Sequence, residues 1–393
     1  MTLKTSDIPN STDRPVRVIQ AVTVSDSIIF FYGIPSYLNA RGFEVAICST
    51  PGPELDQIIA EESPMVFPLV IAREPRPFRD LISLILILNL LVRFRPDIVN
   101  AGTPKAGFLF MVAAWLVRVP RRVYHLRGLR HESLTGFTKW LQVRIEKITG
   151  LFATHVVCET ESVRDLSLEE GLYAEEKCHV LGPGSSGIEI DKFNPADFPK
   201  GSRAQLRQTF EIPEAAPVIG FVGRLVPRKG VEELMEAWST LREIYPSAYL
   251  LLVGPFEAAQ PITVEAEERM KSDPRVLMTG KVDNVAAHLA VMDIFTLPAH
   301  WEGFGNVVVE AAAMGLPVVT TNGSGTRDAA KNDYNALMIE PKDSEALTHA
   351  LARYMDDPDL RRRHGANGMV WAERFDRKNI LAFLYEFYRK ILS

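Results

Sequence analysis

A chain of 393 residues, 47% hydrophobic and 24% charged, has the composition of a soluble globular protein and the length of two ordinary domains. A net charge of −5 excludes a general polyanion binder, so no nucleic-acid partner is expected. Cys48, Cys158 and Cys178 follow no metal or disulfide spacing, which points to a reducing cytoplasm.

The first fifteen residues are polar and lack the apolar core of a signal peptide. Residues 16–24 then read as a buried strand, 28–40 as a helix and 44–48 as a strand. The rhythm continues with a helix over 77–94, a strand over 97–101, a helix over 104–117 and a strand over 122–126. A helix over 139–150, a strand over 155–158, a helix over 161–170 and a strand over 177–181 close the series. Repeated strand–helix alternation of this kind predicts a parallel sheet covered on both faces.

Two features of this half stand out. From Val70 to Arg130 eleven Lys/Arg face three Asp/Glu, among them Arg73, Arg76, Arg79, Arg93 and Arg95, a basic stretch suited to anionic headgroups or phosphorylated substrates. The apolar run 81–92 falls short of the about 20 residues that span a bilayer. It reads as a buried helix covering the sheet, with a helix dipping into a membrane interface as the alternative.

Gly182-Pro183-Gly184-Ser185-Ser186-Gly187 breaks the rhythm, and Pro195, Pro199, Gly201 and Pro213 continue a linker-like composition. A second series follows. Its strands are expected over 218–222, 248–253, 275–278, 294–297 and 317–320, and its helices over 231–241, 262–271, 285–292, 307–314 and 344–355. The last helix is expected over 379–392. Two α/β domains result, 1–195 and 196–375, with residues 376–393 returning to the first. Ligands of such sheets bind at the carboxyl ends of the strands, here in an interdomain cleft.

Chemistry concentrates in two segments. Gly223-Arg224-Leu225-Val226-Pro227-Arg228-Lys229-Gly230 lies between a strand and a helix. Its glycines allow close backbone approach, the helix start adds N–H donors, and Arg224 and Lys229 would neutralise a diphosphate. Glu302-Gly303-Phe304-Gly305-Asn306 leads into a helix that carries Glu310, with seven residues between the two carboxylates. The N–H groups of Gly303, Phe304, Gly305 and Asn306 sit near that helix start. Carboxylates accept paired bonds from vicinal hydroxyls, so Glu310 suits a ribose and Glu302 a transferred sugar. A solvated surface turn and a helix cap are the plainer alternatives for each segment taken singly.

Together these segments resemble the family-4 glycosyltransferases of GT-B fold, two tandem Rossmann-like doubly wound domains. The likeness extends to Pro96-Asp97-Ile98-Val99, Gly187-Ile188 and Gly315-Leu316-Pro317-Val318-Val319. With Thr103-Pro104-Lys105-Ala106-Gly107 and Gly128-Leu129-Arg130, the first half looks most like members that extend undecaprenyl-diphosphate-linked sugars in capsule, O-antigen or glycoprotein glycans. The resemblance implies a retaining transferase that uses a UDP-sugar, such as a UDP-N-acetylhexosamine, and no metal or other cofactor. Arg224 and Lys229 would hold the donor diphosphate, Glu310 the ribose, and Glu302 with the N–H groups of residues 303–306 the sugar. The acceptor would be a polyprenyl-diphosphate-linked sugar at the inner face of the cell membrane, with peripheral contact to anionic lipid.

Departures from the family pattern leave the acceptor base open. Ser25-Asp26-Ser27 stands where many relatives have a glycine pair, and Arg127-Gly128 where many have His-Gly. An arginine stays protonated and cannot be a base, but it would pair with a phosphate. Glu132 is the nearest carboxylate to receive an acceptor proton. His131 is a candidate site group or a packed histidine, and Lys105 an acceptor-phosphate ligand or a solvated lysine. Asn322–Asp328 would line the donor pocket or serve as a connector. Asp357-Pro358-Asp359 reads as a structural turn. Two rival functions share the architecture: a UDP-sugar 2-epimerase, and a non-catalytic nucleotide-sugar binder.

Overall fold

The computed structural model of the chain describes residues 14–72, 76–184 and 187–393; the stretches 1–13, 73–75 and 185–186 lie outside the described residues. The chain divides into two compact units. One comprises Met1–His125, Arg144–Val156 and Ile391–Ser393, the other Leu126–Val143 and Val157–Lys390.

Seven strands make the first sheet: β1 (Val16–Ala21), β2 (Phe43–Ser49), β3 (Met65–Pro68), β4 (Ile98–Gly102), β5 (Arg121–Leu126), β6 (His155–Cys158) and β7 (Cys178–Val180). Their order is β3-β2-β1-β4-β5-β6-β7. The pairings of β1 with β2 and β4, of β2 with β3 and of β4 with β5 are parallel. Val18, Ile19, Ala46, Ile47, Ile98 and Val99 are almost wholly buried, as strands covered on both faces require.

The second sheet holds β8 (Val218–Val222), β9 (Tyr249–Val253), β10 (Val276–Gly280), β11 (Ile294–Leu297), β12 (Val318–Thr321) and β13 (Ala336–Ile339), in the order β10-β9-β8-β11-β12-β13. All five pairings are parallel. These are two Rossmann-like α/β domains. In the second, strand order reverses between β8 and β11, so the turn after β8 and the loop after β11 emerge side by side at the carboxyl edge.

Expected and observed elements differ where local chemistry competes with periodicity. The helix expected over 28–40 is a 3-10 turn, Ser25–Phe31, followed by an α-helix, Ile34–Asn39, with Gly33 at φ 80° between them. Ser25, buried, accepts a hydrogen bond from the Leu55 N–H at the start of helix Pro53–Glu62, which sequence periodicity did not reveal. The linker-like segment is held in place: the Ile188 N–H donates to Phe375 O, and the Arg377 N–H to Ile188 O.

The helix Pro77–Phe94 is buried on one side only. Ser83, Ile87, Leu90, Leu91 and Phe94 face the protein, whereas Phe78, Leu81, Ile82, Ile85, Leu86 and Val92 are exposed. The reading of this run as a fully buried helix is therefore corrected: its apolar residues exceed what the sheet covers. Among the described residues, no helix is long and apolar enough to cross a membrane.

Gly230 illustrates how tightly the switch point is built. It ends the 3-10 turn Pro227–Lys229 at φ 70°, and a Cβ there would collide with the Pro298 carbonyl oxygen after β11. Gly230→Ala is expected to cost about 3 kcal/mol, because left-handed strain adds to an overpacked backbone contact. Urea unfolding measures it; an unchanged midpoint would mean that the turn and the Pro298 loop separate freely.

Candidate active site

The cationic turn and the acidic loop meet directly. Lys229 Nζ lies 2.6 Å and Arg228 Nη1 3.0 Å from the same oxygen, Glu302 Oε1. The three side chains are only 12%, 17% and 12% exposed. Burial pushes the Glu302 carboxyl up, but the Coulomb attraction and hydrogen bonds of Lys229 and Arg228 outweigh it and hold the group below its ordinary value. Among the described residues nothing bonds Oε2, which leaves that oxygen to accept from a hydroxyl. Arg224 takes a different partner and pairs with Glu257, in the loop after β9.

Helix Asn306–Ala313 starts beyond Gly305, which has φ 88°. Among the described residues the N–H groups of Gly303, Phe304 and Gly305 donate no hydrogen bond. The Phe304 side chain is core, 3% exposed and 5.0 Å from the Phe375 ring, so only its backbone is available to a ligand. Glu310, one turn into the helix, has its carboxyl pushed up to about 7 by burial, against the attraction of Arg377 and Lys229. Lys229 therefore acts on both glutamates of the pair.

A third segment joins them. Gly303 is so close to the Arg127 carbonyl that no Cβ fits, and Gly128, at φ 116°, abuts Gly303. The Arg127 guanidinium is 3.1 Å from Glu159, with the pair 10% and 2% exposed. Burial lowers the arginine below its usual value and Glu159 works against that. Glu132 accepts bonds from Ser324 Oγ at 2.9 Å to each oxygen, and Ser324 O accepts the Glu302 N–H at 3.0 Å. Burial, assisted by nearby Glu170 and opposed by the Ser324 bond, brings the Glu132 carboxyl up to about 7.

The remaining candidates lie elsewhere. Lys105 belongs to the first unit, where its Nζ meets Asp80 at 2.7 Å. His131 is fully buried and its Nε2 is 2.5 Å from Glu170. Asp357 caps helix Pro358–Ala372 by accepting the Leu360 N–H. Sequence reasoning gave no role to Arg228, Glu257 or Trp301, whose Nε1 donates to Ser133 Oγ at 2.8 Å. Arg228 and Trp301 stand within or next to the two motifs, whereas Glu257 carries no such signal. Among the described residues no group of three His, Cys, Asp or Glu side chains is arranged to hold a metal ion.

Glu132 and Glu310 both stand raised from 4.5 to about 7 in the folded chain. Their protonated forms stabilise the fold fully below about pH 4.5, and that contribution disappears as pH rises through about 7. Glu132→Gln should therefore flatten part of the decline in unfolding free energy between about pH 5 and 8. A decline as steep as in the unsubstituted protein would mean that Glu132 titrates normally.

Known proteins share this construction. Residues 31–184 match the family "Glycosyl transferase 4-like domain" and residues 202–371 the family "Glycosyl transferases group 1". The chain is 32% identical to the capsular polysaccharide biosynthesis glycosyltransferase CapM of Staphylococcus aureus, over 96% of its own length and 98% of the relative's. It is 27% identical to the UDP-Gal:alpha-D-GlcNAc-diphosphoundecaprenol alpha-1,3-galactosyltransferase of Escherichia coli, over 84% of this chain and 86% of that one. Its fold matches that of Anabaena HepE, solved with UDP and glucose, at a TM-score of 0.79 and 19% identity, covering 95% of this chain and 100% of the other. With both domain families matched and a relative at 32% identity over nearly the whole length, the chain belongs to the family-4 glycosyltransferases of GT-B fold.

Proposed function

We propose that the protein is a retaining glycosyltransferase that moves a sugar from a UDP-sugar to a polyprenyl-diphosphate-linked saccharide during surface polysaccharide assembly. The observation that carries this reading is the convergence of Lys229 and Arg228 on Glu302 Oε1, beside a row of backbone N–H groups and a second carboxylate on the following helix. A diphosphate needs Lys229, a ribose diol needs Glu310, and the sugar hydroxyls need Glu302, held by its cations, and the N–H groups. The S. aureus and E. coli relatives, named for capsule synthesis and for transfer to a diphosphoundecaprenol-linked sugar, support the acceptor class.

In the reaction the bond from the anomeric carbon to the diphosphate oxygen breaks, and UDP departs with the electron pair. The acceptor oxygen bonds to the same face of that carbon. Charge growing on the leaving diphosphate is met by Lys229 and by Arg224 once it leaves Glu257. These positive groups do the work for which other transferases use a cation, so no metal enters the scheme. Glu132, with its carboxyl near 7, takes the acceptor proton. The buried Arg127–Glu159 pair supports the loop on which Gly128 and Glu132 stand. This division of roles favours transfer over 2-epimerisation or binding alone, since neither requires a group placed to receive an acceptor proton.

Peripheral contact with the inner face of the cell membrane belongs to the same proposal. Helix Pro77–Phe94 presents Phe78, Leu81, Ile82, Ile85 and Leu86 to solvent, and exposed Arg76, Arg79, Arg93 and Arg95 flank them. Apolar residues framed by arginines suit an anionic lipid surface. The double variant Ile82→Glu/Ile85→Glu should sediment with anionic vesicles at least about fivefold less than the unsubstituted protein. Equal sedimentation would detach this helix from the proposal.

Donor recognition is tested by calorimetric titration with UDP. Lys229→Ala should weaken UDP by about 30-fold, the equivalent of about 2 kcal/mol for a charge-assisted contact. Glu310→Gln should remove the strengthening of UDP binding expected between about pH 6 and 8 as that carboxyl ionises. UDP affinity unchanged in both variants would dismiss the donor site.

A further inference from the structure

Arg228 is held on more sides than any diphosphate ligand needs. Its Nη1 donates to Glu302 Oε1 at 3.0 Å, its guanidinium carbon sits 5.0 Å from the centre of the Trp301 ring, and its carbonyl accepts the His300 N–H at 2.8 Å. All three partners belong to one loop, the one that carries Glu302. His300 is fixed in turn, its Nε2 lying 2.8 Å from Glu233 on the first turn of helix Val231–Ile244. Trp301 is anchored through its Nε1 to Ser133. The guanidinium is thus stacked, bonded and 17% exposed, with little freedom to swing toward a ligand.

Lys229 is a different kind of group. It is a compact ammonium on a flexible stem, in contact with Glu302 and close enough to Glu310 to lower its carboxyl by Coulomb attraction. In the donor-site reading, on which this inference rests, Lys229 turns to the diphosphate when donor binds. Glu302 would then lose one of its two cations at the moment its carboxylate is needed by the sugar. Burial alone pushes that carboxyl up, so a single remaining cation decides its charge.

We propose that Arg228 is the positioning residue of the donor-sugar subsite: it keeps Glu302 ionised and aimed while Lys229 serves the diphosphate. Division of labour between the two neighbouring cations follows. Lys229 contributes to every uridine diphosphate ligand, and Arg228 contributes only to ligands that carry a sugar for Glu302 to hold.

The test compares UDP with UDP-glucose, UDP-galactose and UDP-N-acetylglucosamine by calorimetry on the whole chain. In Arg228→Met, UDP affinity should stay within about twofold, while the preferred UDP-sugar loses at least about tenfold. The acid limb of UDP-sugar binding should move to higher pH, because the Glu302 carboxyl is no longer held low. Arg228→Lys should restore part of both, since it keeps the charge without the fork or the stack. Equal losses for UDP and UDP-sugar, or no loss for either, overturn the proposal, as does an acid limb that stays in place. Lys229→Ala, run alongside, separates the two readings: if it leaves UDP binding intact, the donor site itself is wrong, whatever Arg228 does. Thermal unfolding of each variant identifies any loss that comes from misfolding, and a Trp301→Phe variant, which keeps a ring under the guanidinium, then supplies the second comparison. It should retain the UDP-sugar preference, and its loss there with Arg228→Met behaving as the unsubstituted protein overturns the assignment.

Discussion

Everything at the site depends on one adjacency: β8 lies beside β11, and both strands end at the same edge of a parallel sheet. The strands themselves are apolar and buried, so polar chemistry can exist only in the loops that leave them. Two such loops emerging together can be given opposite charges. A carboxylate with 12% exposure would be costly alone, and so would two cations; brought onto one oxygen, each relieves the others. The sheet order thus determines which electrostatic arrangement is affordable, and the arrangement determines what can be bound.

Close backbone packing then fixes the loops to within the tolerance that recognition needs. Gly303 lies against the Arg127 carbonyl, Gly325 against the Glu302 carbonyl, and a Cβ on Gly323 would stand 2.6 Å from His300 O. These glycines remove side chains where three chain segments cross. Ser324, between two of them, bonds Glu132 through its hydroxyl and Glu302 through its carbonyl. One serine therefore ties the acidic loop to the segment carrying the candidate acceptor base. A loop held this way loses little conformational entropy when a ligand arrives, which is the advantage of preorganisation.

Much of this was legible in the residue order, for reasons that also explain what was not. Strands β8, β9 and β11 are short apolar runs between turn residues, and no other element fits such a pattern. The Gly-bounded cationic turn and the spacing from Glu302 to Glu310 point to a diphosphate and hydroxyls because few other ligands need both. Pairings made by exposed or long side chains are not encoded in spacing, so Arg224 with Glu257 and Lys105 with Asp80 had to be seen. Helix Pro358–Ala372 was not among the elements expected from the sequence; it carries Gly365 and Gly368 in its interior. They are there for contact: a Cβ on Gly368 would lie 3.2 Å from Ala312 O, so this helix packs closely against the one that carries Glu310.

The carboxylates show how one physical cost is turned to different ends. Burial raises Glu302, Glu310 and Glu132 alike. Glu302 has two cations in direct contact and ends below its ordinary value. Glu310 feels Arg377 and Lys229 without the same close bonds, and Glu132 has a hydroxyl and a neighbouring acid; both end near 7. A group held ionised suits a permanent hydrogen-bond acceptor for sugar hydroxyls. One poised near neutrality suits a proton acceptor or a contact that strengthens when a cationic ligand environment assembles around it. The separation arises from where the cations stand: Lys229 and Arg228 on the turn after β8, and Arg377 at the start of the last helix.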